Sequence, residues 1–250
     1  MEEISLMGVK LSVTHYDEIV STFDKWIQNG HSHQVCVGNV HTFMKCVEDA
    51  ELMGLTNRSS MVIADGMPLI WAVRSLEGRR LKRVTGPDLL DRICRESVAK
   101  GYRHFFYGGR PEVSRRLPQI LASKFPGIQV VGAYSPPFRP LTDDEDAEVI
   151  NMINEARPDF LWVGLGAPKQ EKWISTHLGR IEAPVQIGVG AAFDFVAEYR
   201  GRAPKWMQNI GLEWFHRLCA EPRRLWKRYL VYNTRFVATV FSMLMRKHRR

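Results

Sequence analysis

The sequence predicts an α/β fold, a mostly parallel sheet with helices on both faces, followed by a basic helical C-terminal appendage. Three observations predict it. Short apolar runs alternate with helical patterns of 10–16 residues, the rhythm of repeated strand–helix–strand units. Glycines recur where those runs end, where the backbone must turn tightly or approach a ligand. Charge divides by position: from Arg200 to Arg250, 13 bases face only Glu213 and Glu221, whereas the first 199 residues hold 22 bases and 25 acids.

Taken in order, Val9 to Val13 reads as a strand, and Thr14-x-x-Asp17 as a capping box for a helix with Ile19, Val20, Phe23, Trp26 and Ile27 on one face. Strand Gln34–Asn39, helix Val40–Leu55, strand Met61–Asp65 and helix Pro68–Leu76 follow. Pro87 and Asp88 open a helix carrying Leu90, Ile93, Cys94 and Val98. Then come strand His104–Gly108, helix Pro111–Phe125 and strand Ile128–Ala133. A capping box from Thr142 to Glu145 starts a helix that runs to Ala156. Strand Asp159–Gly164, a helix from Pro168 and strand Pro184–Gly190 complete a Rossmann-like series over residues 1–200. In residues 201–250, one helix runs through Trp206, Ile210 and Trp214, and another starts at Glu221-Pro222. The second repeats Leu225, Tyr229, Tyr232, Phe236 and Val240 at helical spacing among arginines, as a membrane-surface element, an anion-binding lid or a packed terminal helix would.

Composition removes several classes. The net charge of +8 lies wholly in the last 51 residues, so a uniform nucleic-acid-binding coat is excluded. With 45% hydrophobic and 25% charged residues the chain is globular rather than disordered. Cys36, Cys46, Cys94 and Cys219 lie far apart, which speaks for reduced thiols and against a zinc site. The acidic start, Met1-Glu2-Glu3, does not read as a signal peptide. The most apolar stretch, Phe236 to Met245, is half of what a ~30 Å hydrocarbon layer demands of a helix, about 20 residues.

Ligands of parallel sheets bind beyond the carboxyl ends of the strands, so the chemistry is sought there. Gly164-Leu165-Gly166-Ala167-Pro168-Lys169-Gln170 has Lys169 where a dinucleotide fingerprint needs its third glycine, yet it keeps the anion affinity of a helix N-terminus. Phe106-Tyr107-Gly108-Gly109-Arg110-Pro111 repeats that logic, and two such loops could hold a diphosphate. Asp65, ending a buried strand, suits either a general base of raised pKa or a helix cap. Asn39 suits a polyol contact or a cap, and Arg83 a phosphate or a salt bridge. Asp144-Glu145-Asp146 satisfies a metal-binding D-x-D pattern, but acids belong in a first helical turn and the reading is structural. His31 and His33 have no third ligand candidate, and no hydrolase or nucleotide-triphosphatase motif occurs.

Ala64-Asp65-Gly66, Arg83-x-Thr-Gly-x-Asp-Leu89, Phe106-Tyr107-Gly108-Gly109, Gly164-x-Gly-x-Pro-Lys-Gln-Glu-x-Trp173 and Gly188-Val189-Gly190-Ala191 occur in one order. Arg202-Ala203-Pro204-x-Trp206, Glu213-Trp214-x-x-Arg217 and Glu221-Pro222-x-Arg224 follow. The ordered set resembles the WecG/TagA/CpsF family of bacterial glycosyltransferases over nearly the whole chain. The resemblance implies an inverting, metal-independent transfer, without a cofactor, of a hexose or N-acetylhexosamine from a UDP-sugar. The implied acceptor is a polyprenyl-diphosphate-linked saccharide at the inner face of the cell membrane, and the implied products are teichoic acid, capsule, exopolysaccharide or common antigen. It makes Asp65 the base, and Asn39, Arg83 and Gln170 donor- and acceptor-side contacts. Its nucleotide-closing arginines fall on Arg217, Arg224 and either Lys227 or Arg228. One position departs: members with a Thr-x-Asn motif on the second strand have threonine where this chain has Val37, which implies a different substrate pair from the teichoic acid enzymes.

Two other readings compete with this one, a nucleotide-dependent oxidoreductase built on the Gly164 loop and a non-catalytic membrane or nucleic-acid adaptor using the tail. On the leading reading the partners are a UDP-sugar, a lipid-linked acceptor and an anionic membrane surface, with no nucleic acid. The protein is then cytoplasmic and peripheral at the membrane, and the apolar tail face leaves a homo-oligomer open.

Overall fold

The computed structural model describes residues 1–248; Arg249 and Arg250, two cations of the basic tail, lie outside the described residues. Strands β1 (Glu3–Leu6) and β2 (Val9–Ser12) form a two-stranded antiparallel hairpin. The segment expected to open the main sheet is therefore half of a separate hairpin, turned by Met7 and Gly8 at φ 55° and 83°. Helix α1 (Tyr16–Asn29) buries Ile19, Val20 and Phe23 as its spacing requires. The Thr14–Asp17 capping box does not form, because His15 takes the N-cap position and Thr14 Oγ1 has no hydrogen-bond partner among the described residues.

After β3 (His33–Gly38), the helix expected over residues 40–55 divides into α2 (Val40–Glu48) and α3 (Ala50–Asn57). Asp49 breaks it: in extended backbone, its carboxylate accepts from the Leu52 N–H at 3.0 Å and so starts a new helix. Next come β4 (Met61–Ala64), α4 (Met67–Glu77), α5 (Gly86–Lys100), β5 (Arg103–Gly108), α6 (Pro111–Lys124), β6 (Gln129–Tyr134) and α7 (Asp143–Ala156). The series ends with β7 (Phe160–Gly164), α8 (Lys169–His177), β8 (Val185–Gly188) and α9 (Ala192–Val196). Thr142 and Glu145 make the expected capping box, and Asp146 binds His177 Nε2 at 2.8 Å. Glu145 and Asp146 of the D-x-D segment are thus committed to structure.

Among the described residues, β4-β3-β8-β7-β5-β6 form one parallel sheet. Alternation sends Phe106, Phe160 and Trp162 to one face, packed with α1, α5 and α6, and Phe105, Leu161 and Val163 to the other, packed with α7 and α8. The fold class read from the sequence is the one observed.

The appendage is more broken than its periodicity suggests. Helix α10 (Lys205–Asn209) stops before Gly211, whose φ of 76° a helix cannot use, and α11 (Glu213–Ala220) starts afresh. Helix α12 (Pro222–Trp226) passes through a π-helical turn, Lys227–Val231, into α13 (Tyr232–His248). The appendage packs on the α/β body: Phe236 is buried with Leu6, Leu69 and Leu76, a burial worth roughly 1.5–3 kcal/mol.

Candidate active site

A cleft enclosing about 1070 Å³, its solvent-filled mouth included, opens beyond the carboxyl ends of β3, β4 and β8. The sheet supplies its floor and the appendage its far wall. Asp65, Asn39, Arg83, Gln170, Arg217 and Arg228 all line it, although they are up to 189 positions apart in the chain.

Asp65 follows β4, where its N–H donates to the Gly38 carbonyl at 2.7 Å. The next residue, Gly66, has φ 120°, a conformation closed to other side chains, and this turn sets Asp65 at the cleft floor. Gly66 is the N-cap of α4 and no side chain caps that helix, so the capping alternative for Asp65 is not realised. Its carboxyl accepts no hydrogen bond among the described residues. Burial above all, with the Glu213 carboxylate, pushes its pKa up to about 6 against lowering by Arg83, Arg217 and Arg202.

Asn39 does cap a helix. Its Oδ1 accepts from the His41 and Thr42 N–H groups at 3.0 and 3.4 Å, which leaves its NH₂ group for a ligand. His41 also lines the cleft; burial and the neighbouring Arg228 and Lys45 hold its pKa down at about 4, so at neutral pH it is an uncharged hydrogen-bonding group. Val37, where a threonine was the alternative, gives the same wall an apolar surface.

Arg83 takes the salt-bridge form of its two readings. It pairs with Glu213 and donates from Nη1 to the Gln208 carbonyl at 2.6 Å, both partners being in the appendage. Arg202 continues the chain, holding Asp88 Oδ2 at 2.9 Å and reaching Glu213 at 3.5 Å. These ion pairs clamp the appendage over the cleft next to Asp65. Arg217 lies 5.2 Å above the Phe195 ring, and the buried Nε of Arg228 has no hydrogen-bond partner among the described residues. A buried guanidinium N–H without an acceptor is costly, and a phosphate oxygen would satisfy it.

Gln170, at the start of α8, is 2% exposed and lies flat across the end of β8. A Cβ on Gly188 would stand 2.9 Å from its Nε2, so glycine there makes room for the amide. Gly108 and Gly109 fall outside the cleft lining. They brace β5 against β7: the Gly109 N–H donates to the Gly164 carbonyl at 3.0 Å, and a Cβ on Gly108 would meet Gly164 C at 2.8 Å. Arg224 also lies outside the lining, half exposed and paired with Glu221 at 2.7 Å.

Sequence reading missed His41 and the role of Glu213. A histidine beside a cap residue carries no local signal, and Glu213 meets Arg83 across 130 positions of chain. Among the described residues, no group of three or more His, Cys, Asp and Glu is arranged to hold a metal ion, and no helix is long and apolar enough to cross a membrane.

The family model described as the glycosyl transferase WecG/TagA/CpsF family matches residues 4–250. An N-acetylglucosaminyldiphosphoundecaprenol N-acetyl-beta-D-mannosaminyltransferase of Bacillus subtilis (strain 168) is similar, 31% identical over 184 residues, which cover 74% of this chain and 70% of that one. A protein of the same name from Staphylococcus aureus (strain MRSA252) is 25% identical over 228 residues, covering 90% and 86%.

Proposed function

Because the chain belongs to the WecG/TagA/CpsF family of glycosyltransferases, we propose that it moves a hexose or N-acetylhexosamine from a UDP-sugar to a polyprenyl-diphosphate-linked saccharide during cell-surface polysaccharide synthesis. The relatives' names, which specify an N-acetylglucosaminyl-diphospho-undecaprenol acceptor, support the acceptor class. The observation that carries the mechanism is Asp65: a carboxyl free of hydrogen bonds, its pKa near 6, on a cleft floor facing Arg217 and Arg228.

Asp65 takes the proton of the acceptor hydroxyl as its oxygen attacks the anomeric carbon. The bond from that carbon to the UDP oxygen breaks on the opposite face, which inverts the configuration. Charge growing on the departing diphosphate is met by Arg217 and Arg228, with Arg224 reaching it on tighter closure, so the transfer proceeds without a metal ion. Asn39 and Gln170 orient the sugars, and Arg83 holds the appendage over them through its pair with Glu213. Residues 1–200 supply the base and the sugar contacts, and residues 201–250 act as a lid that brings the arginines and as membrane contact. Helix α13 exposes Val237, Phe241 and Met245 beside Arg246 and Lys247, which suits reversible docking at the inner membrane face, where each cation near anionic lipid is worth about 1 kcal/mol.

The test is turnover with a panel of UDP-sugars and one lipid-diphosphate-linked N-acetylglucosamine analogue. Transfer from one donor with inverted configuration supports the proposal. Tight NAD(P) binding with no UDP binding would return the protein to the oxidoreductase reading.

A further inference from the structure

Glu171 is a buried acid that the mechanism above does not use. It follows Gln170 on α8 and is 1% exposed. Its Oε1 accepts from Gln170 Nε2 at 3.0 Å, and the Cys36 thiol approaches the same oxygen at 3.9 Å. Gln34 Nε2 donates to its backbone carbonyl at 3.1 Å, which pins the residue to β3. Oε2 is buried with no hydrogen-bond partner among the described residues. Burying a carboxyl with one oxygen unsatisfied is costly, so the fold retains Glu171 at the expense of stability.

The amide of Gln170 shows what this placement achieves. Its Oε1 accepts from the Gly166 N–H at 3.1 Å, while its Nε2 donates to Glu171. A backbone N–H can meet only the oxygen end of an amide, and an acceptor oxygen only the NH₂ end, so the two partners select the same one of the two flip states. Gly188 and Gly190 leave room for the amide, since a Cβ on either would stand 2.9 or 3.4 Å from it. One N–H and one oxygen lone pair remain for a ligand in the cleft that Gln170 lines.

We propose that Glu171 is a positioning residue, which fixes the flip state of the Gln170 amide so that its free N–H and lone pair meet the sugar in defined places. The proposal rests on the reading of the cleft as a sugar-transfer site. Burial raises the Glu171 pKa, which weakens its charge but leaves Oε1 an acceptor.

The experiment compares Q170A, E171M, E171Q and the Q170A/E171M pair in the full chain, by steady-state kinetics and by ¹⁵N-edited NMR of the side-chain amides. The Gln170 amide signal is identified by its loss in Q170A. E171M should shift that signal and lower kcat/KM about tenfold, one well-oriented hydrogen bond's worth. E171Q keeps an Oε1 acceptor and should stay within about threefold of the parent with the signal in place. The double variant should be no slower than Q170A alone. Should E171M fail to fold, E171D, which withdraws the carboxylate by one methylene, should show the same loss.

An unmoved amide signal in E171M or E171D overturns the proposal, as do losses that simply multiply in the double variant. Parent-like turnover by Q170A overturns it too, while leaving the transferase reading intact. If the parent protein transfers no sugar, that reading fails, and the NMR shift alone still decides whether Glu171 orients the amide.

Discussion

At the scale of the residue, the chemistry turns on Asp65 and what surrounds it. With its pKa near 6, log kcat/KM should fall with unit slope below about pH 6, two units above where an ordinary aspartate would protonate. A raised carboxyl pKa means the folded chain holds the proton more tightly than the unfolded chain does. Its ionisation therefore costs stability as pH rises from about 4 to 6, and that cost is complete at neutral pH. Asp65→Asn should then abolish transfer, leave UDP binding measurable, and raise stability at pH 7 by about 1–3 kcal/mol, a range lowered because the side chain is only partly buried at the cleft floor. Thermal unfolding of the two proteins at pH 7 and pH 4 checks the sign: the difference should vanish at the lower pH. Gly188→Ala tests the neighbouring wall: its methyl would press on the Gln170 amide and should cut kcat/KM by at least tenfold with the fold retained. Much of this was legible in the sequence. Asp65 stands at a strand end just before Gly66, and Gln170 at a helix start just after the Gly164–Gly166 loop, and that pattern has a direct backbone cause. The Asn39 cap was legible only as one of two alternatives, because the same side chain serves either use.

At the scale of the element, local rules hold where they act alone and fail where tertiary contacts compete. The Thr142–Glu145 box forms on an exposed helix start, but the same pattern at Thr14 loses to His15, one position along. Asp49 reads as an interior helix residue until its carboxylate is seen capping α3. The clamp between the α/β body and the appendage was not legible, since Arg83, Asp88, Arg202 and Glu213 meet only when α10 and α11 fold back on the sheet edge. That clamp carries a prediction. Glu213→Gln removes an anion that raises the Asp65 pKa and frees Arg83, which lowers it, so both effects act in one direction. The acid limb of the pH–rate profile should move to lower pH, and an unmoved limb would show that the clamp is electrostatically separate from the base.

At the scale of the whole molecule, the division of charge, +11 in the last 51 residues against −3 before them, acquires a physical layout. Part of that charge is internal: Arg202 clamps, and Arg217 and Arg228 line the cleft. Another part lies along α13, whose exposed apolar residues include Val237 and Phe241, each 63% exposed, while Phe236 anchors the helix to the body. Val237→Glu with Phe241→Glu should therefore abolish sedimentation with anionic vesicles and leave turnover on a water-soluble acceptor within about twofold, since neither residue lines the cleft. Binding by the parent should weaken with salt, as a screened contact must. The measurement that bears most directly on the central claim is transfer from a UDP-sugar to a lipid-diphosphate-linked N-acetylglucosamine, run in parallel on the parent and on Asp65→Asn. The parent should turn over, and the variant should lose at least a thousandfold with UDP affinity unchanged. Turnover by Asp65→Asn at the parent's rate would contradict that claim.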